Sequence, residues 1–181
     1  MRRNQLEHII RAAATIADDD DIVVIGSQSI LGQFPDAPTD LCVSVEADVW
    51  PRNHPERWEL IDGAIGELSL FHDTFGYYAQ GVGRETAVLP AGWEERLIEV
   101  ATPATRGATG WCLEVHDLVI SKYVANREKD RLFVKTVISH HMVDKSTLLH
   151  RLAGTKVSSQ HGSDIAAFIE RDFLRSGALP G

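Results

Sequence analysis

The chain is 181 residues long, 44% apolar and 24% charged, with 18 basic and 26 acidic side chains for a formal net charge of −8. That length carries one sizeable core with a small annex, and the composition excludes a wholly disordered, collagen-like or low-complexity chain. The net acidity excludes a broad nucleic-acid platform, which needs clustered Lys and Arg. The longest apolar runs, such as residues 22–25, are too short to span a membrane, and Met1-Arg2-Arg3 precedes no apolar signal core. Cys42 and Cys112 sit in apolar, strand-like segments where a buried free thiol is expected, which suits a reducing cytoplasm. Charge is uneven along the chain: residues 1–105 hold 7 basic and 18 acidic side chains, residues 106–181 hold 11 and 8.

Leu6, Ile9, Ile10, Ala13, Ala14 and Ile16 have helical spacing, so an amphipathic helix opens the chain and the acidic run 18–21 ends it. Residues 21–25 read as a short buried strand that breaks at Gly26, and 28–33 as a helical turn or two. A Pro- and Asp-bearing loop follows over 34–40. Across 41–49, Val43, Val45, Ala47 and Val49 alternate with Ser44, Glu46 and Asp48, which predicts one strand closed by Pro51. A helix is expected over 56–65, with Trp58, Ile61 and Ile65 on one side. Short strands are expected over 77–82, 86–89, 92–100 and 111–115. From His116 onward the spacing is helical, over 117–127, 129–141, 145–152 and 163–174, with Asp117, Asp130 and Asp144 near helix starts, where a carboxylate is favoured. The expected organisation is an α/β (α+β) core over 1–115, a mixed sheet flanked by helices, and a helical C-terminal part over 116–181.

Two features carry chemistry. Gly26-Ser27 ends a buried strand, so the backbone turns sharply and can approach a ligand, while the N–H groups of the next turn and the Ser27 hydroxyl are placed to meet phosphate oxygens. Glu46 and Asp48, two residues apart on a strand, project from one face, and a cation relieves their repulsion. Mg²⁺ or Mn²⁺ fits, because such ions take carboxylate oxygens together with substrate phosphates. A third acid on an adjacent strand would complete a site for one or two ions, with Glu99 the first choice and Glu114 the second.

The arrangement resembles the nucleotidyltransferase superfamily of polymerase-beta-like fold: a strand ending in Gly-Ser, a short helix, then a strand with an acid-x-acid pair. More narrowly it is similar to the bacterial nucleotidyltransferase-like proteins related to AbiEii abortive-infection toxins. The second point of likeness is the segment 114–130, with its Asp117-Leu118, Lys122, Ala125, Arg127 and Lys129-Asp130. The resemblance implies that Gly26 and Ser27 hold a nucleoside triphosphate, that Glu46 and Asp48 bind the metal, that Lys122 reaches the nucleotide, and that Lys129 and Asp130 support it. It also implies a toxin-like role, with a tRNA or a protein as acceptor and an antitoxin-type partner. This chain departs from the pattern at Glu46, where the family usually has Asp, and in the long interval between Gly26 and Glu46.

Those features predict a metal-dependent nucleotidyltransferase with Glu46, Asp48 and Glu99 as catalytic acids. A catalytically inactive binding or regulatory module of the same fold is the alternative, and a purely structural partner subunit a third reading. The eight histidines form no His-Glu-x-x-His, no Cys-x-x-Cys is present, and neither a nucleophile elbow nor a dinucleotide fingerprint occurs.

Overall fold

A computed structural model describes residues 1–177, and two compact units divide them. The first comprises residues 1–86 and 96–114, the second residues 87–95 and 115 onward. No helix among the described residues is long and apolar enough to cross a membrane.

The first unit is a five-stranded mixed sheet in the order β3-β2-β1-β5-β4, made of β1 (Asp21–Ile25), β2 (Glu46–Pro51), β3 (Tyr78–Gly81), β4 (Ile98–Val100) and β5 (Thr109–Cys112). β1 runs antiparallel to β2 and parallel to β5, β3 is parallel to β2, and β4 is antiparallel to β5. Residues directly opposite one another share a face. Ile22, Val24, Ala47, Val49, Ala79, Gly110, Cys112 and Val100 therefore form one face, and all but Gly110 belong to the buried hydrophobic core. Helices pack on that face. Helix α1 (Arg3–Ala17) buries Leu6, Ile9, Ile10, Ala13, Ala14 and Ala17, and its Ile10 lies against Gly110. The four-residue helix α2 (Ile30–Gln33) brings Gly32 so close to Cys112 that a methyl group there would clash with it. Helix α3 (Trp58–Ile65) lies on β3, and α4 (Leu70–Phe75) follows it.

One carboxylate pins the turn between α1 and β1. Asp19 is 7% exposed and accepts from the backbone N–H of Asp21 (3.0 Å), Asn53 (2.8 Å) and His54 (3.0 Å) and from Asn53 Nδ2 (2.9 Å). Burial alone raises its pKa; these hydrogen bonds outweigh that and hold it below the ordinary carboxylate value.

The second unit is helical: α5 (Val115–Ala125), α6 (Glu128–Ser139), α7 (Lys145–Ala153) and α8 (Ser159–Ser176), joined by residues 87–95 through a bridge between Pro90 and Thr155. Leu118, Val119, Ile120, Val134, Val137, Ile138, Leu148, Ile165 and Ile169 are buried at helical spacing. Asp144 caps α7 by accepting from the Thr147 N–H at 2.8 Å.

Several expected elements differ. The strand expected over 41–49 begins only at Glu46: Leu41 closes a 3₁₀ turn, while Val43 and Val45 are 77% and 45% exposed. Alternation thus ran on into a loop whose valines have no strand to pair with. The segment 86–89 is no strand. Within 92–100 only Ile98–Val100 pairs, because residues 93–96 coil into a 3₁₀ turn. Helix α4 had no expectation; its Ser69 N-cap, accepting from the His72 N–H at 3.1 Å, is a signal that six residues make faint.

Candidate active site

The site is built where β1 ends. Gly26 adopts φ +67°, ψ −170°, a conformation open essentially to glycine alone. The chain then enters a 3₁₀ turn, Ser27–Ser29, fastened by the Ser29 N–H (3.2 Å) and Ser29 hydroxyl (2.8 Å), both donating to the Gly26 carbonyl. Asp48 is the residue of β2 opposite Ile25, so its carboxylate comes to rest against the Gly26 backbone. Any Cβ at position 26 would occupy the space of Asp48 Oδ2. Gly26 is therefore required twice, once by its backbone angles and once by the carboxylate seated on it.

Glu46 lies one strand repeat back on the same face, about 7 Å along β2. Both acids are half-buried. Tyr78, opposite Glu46 on β3, donates its hydroxyl to Glu46 Oε2 at 3.2 Å. Burial and then the Glu46 charge push the Tyr78 phenol up to about 12, so it stays a donor at neutral pH. The His72 ring of α4 packs on Tyr78 with centroids 4.6 Å apart. Neither residue stands out in the sequence, since only the β2–β3 register reveals that Tyr78 faces Glu46.

Beside the turn, Gln28 is 1% exposed; its Nε2 donates to the Leu41 carbonyl at 3.4 Å while its Oε1 is buried without a hydrogen-bond partner in the structure. An orphaned acceptor of that kind costs about 1–3 kcal/mol, and it was not a candidate in the sequence.

Structure and expectation part at the third acid. Glu99 shares the face of Asp48, through Trp111, Val23 and Trp50. It stands on the edge strand β4, however, three strand spacings or about 14 Å from β2, beyond the reach of two carboxylates meeting on one ion. That separation follows from strand order, which the linear sequence does not display. Glu114 directly follows Leu113, whose N–H donates to the Val24 carbonyl at 3.0 Å, so it lies at the level of Gly26 on the β5 side. Among the described residues no group of three or more His, Cys, Asp or Glu side chains is gathered as a metal-ligating cluster. The acidic pair thus offers two carboxylates, a donor set suited to an ion that completes its shell with phosphates and water rather than to an all-protein cage.

The basic candidates fall in the second unit. Lys122 of α5 is 6% exposed, 3.0 Å from Asp130 Oδ1, and its ammonium lies 5.2 Å from the centroid of the Phe133 ring. Asp130, fully buried, also receives Arg127 Nε at 2.7 Å. Burial raises the Asp130 pKa, and Arg127 and Lys122 more than reverse that, leaving it below the ordinary value. Asp117, equally buried, pairs with Arg151 Nε at 3.3 Å. The ion pairs of Asp117, Lys122, Arg127 and Asp130 therefore fasten α5 to α6 and α7, whereas the sequence suggested for Lys122, Lys129 and Asp130 a part at the nucleotide. Lys129 is exposed in the first turn of α6.

No curated protein and no solved structure matches the chain. A family model does, over residues 4–170, and it spans both units. With the mixed sheet, the glycine turn and the acidic pair in place, the chain belongs to the family described as nucleotidyltransferase of unknown function (DUF6036).

Proposed function

We propose that the protein is a metal-dependent nucleotidyltransferase that moves a nucleoside monophosphate from a nucleoside triphosphate to an acceptor hydroxyl. The observation that carries this reading is the seating of the Asp48 carboxylate on Gly26, which joins the acidic strand to a glycine turn inside a nucleotidyltransferase-family domain. In this reading the Gly26-Ser27 turn receives the triphosphate, and Glu46 and Asp48 hold Mg²⁺ or Mn²⁺. The ion, when bound with nucleotide, neutralises charge developing on the phosphates. Tyr78 orients Glu46 by hydrogen bonding, and the Glu46–Asp48 face aligns the α-phosphate for in-line attack. The acceptor oxygen forms a new bond to the α-phosphorus, the bond to the β-phosphate bridging oxygen breaks, pyrophosphate leaves, and the acceptor's proton passes to water. The likeness to AbiEii-related toxins supports a tRNA or protein acceptor and an antitoxin-type partner.

The test is transfer of label from nucleotides radiolabelled at the α-phosphate into RNA and protein of the native host. Label that appears with wild type and is lost in Glu46→Gln and Asp48→Asn supports the reading. Nucleotide binding with no label in either fraction would instead favour the inactive binding module, for which the distance of Glu99 from the acidic pair speaks.

A further inference from the structure

The net charge of −8 hides one locally cationic surface. Helix α6 exposes Arg127 at its N-cap, then Lys129, Arg131 and Lys135, with Glu128 the one exposed acid among them. These five side chains and Leu132, itself 68% exposed, line an open cavity of about 790 Å³ that lies wholly within the second unit. Two of the cations are held in place. Arg127 is fixed by Asp130 at 2.7 Å, and Arg131 Nη1 donates to the Asn126 carbonyl at 2.8 Å and to Asn126 Oδ1 at 3.2 Å. Asp130 is fully buried beneath Lys122 and Arg127, so it adds no exposed carboxylate to this surface.

We infer that this face of α6 binds the phosphodiester backbone of a nucleic-acid strand. Arg127, Arg131 and Lys135 recur every four residues, about 6 Å per step along one side of the helix, so successive cations can meet successive phosphates. A guanidinium held by its own neighbours loses little freedom on meeting a phosphate and presents the fork that phosphate oxygens accept. Leu132, exposed between Arg131 and Lys135, adds an apolar contact that a sugar or base face can cover, which a chain of carboxylates alone cannot. The inference deepens the transferase reading, on which its role in acceptor choice rests, by naming the acceptor as a nucleic acid. The binding itself is independent of the nucleotide site.

Full-length protein is titrated into fluorescein-labelled RNA and DNA strands of one sequence, and anisotropy is followed from 50 to 200 mM NaCl. Wild type is expected to bind at least one strand, with log K falling against log salt at a slope of about −2 for three phosphate contacts. Arg131→Gln with Lys135→Gln is expected to weaken binding at least tenfold at low salt and to flatten the slope by about 1.4. Both side chains are exposed and Arg131 gives up only exposed hydrogen bonds to Asn126, so this variant is expected to stay folded, with a thermal unfolding midpoint close to that of wild type, and to keep its Mg²⁺-nucleotide binding. Preference for RNA or for DNA names the source and supports the inference in either case. An unchanged slope in the double variant overturns it, as does a polyglutamate peptide of equal charge that binds as tightly as either strand. Loss of nucleotide binding in wild type with strand binding intact would instead sink the transferase reading and leave this surface standing.

Discussion

Replacing Gly26 by Ala separates the two demands that position makes. The first is conformational: φ +67° with ψ −170° costs a residue bearing a Cβ about 1–3 kcal/mol. The second is steric, because the new methyl would overlap Asp48 Oδ2, and forcing apart a packed contact costs a further 1–3 kcal/mol or so. Gly26→Ala is therefore expected to destabilise the protein by about 2–6 kcal/mol. In an Asp48→Ala background the steric part disappears and the conformational part remains. A double-mutant cycle by urea denaturation should then give a coupling of about 1–3 kcal/mol, with Gly26→Ala milder in the second background. Equal cost in both backgrounds would refute the seating of Asp48 on Gly26, and with it the link between the glycine turn and the acidic strand.

Three other outcomes test the surrounding framework. Asp130→Ala strands the buried Lys122 ammonium and should cost about 3 kcal/mol or more in urea denaturation, whereas Lys122→Met with Asp130→Leu should cost clearly less; equal losses would contradict the buried pair. The depressed pKa of Asp19 stabilises the fold above its unfolded value of about 3.9, and that contribution is lost as pH falls through the lower folded value; Asp19→Asn should remove that share of the acid dependence in denaturation at pH 3 against pH 6. Burial pushes the Cys112 thiol up to about 12, so Cys112 in a Cys42→Ser background should stay silent to a thiol reagent at pH 8 until denaturant is added.

What the sequence displays and what it conceals divide along physical lines. The first helix was legible because six apolar positions repeat at helical spacing, and β1 because four consecutive apolar residues end in Gly26. The pair Glu46–Asp48 was legible because the strand period is two, though the same period, read too far, turned the loop at Val43 and Val45 into strand. Strand order is set by non-local pairing, so nothing near Glu99 announced that β4 lies at the sheet edge, and nothing near Tyr78 that it faces Glu46. Lys122 and Asp130 were visible as charges in a helical stretch. Their burial, and hence their pairing, depends on what packs around α5.

The central claim is that Glu46 and Asp48 hold a divalent cation together with a nucleotide at the Gly26 turn. Calorimetric titration of each nucleoside triphosphate with Mg²⁺, with Mn²⁺ and with chelator tests it most directly. At least one nucleotide should bind only with metal, and its affinity should fall tenfold or more in Asp48→Asn while the variant keeps its fold. Affinity that is indifferent to both the metal and the Asp48 carboxylate would contradict the account.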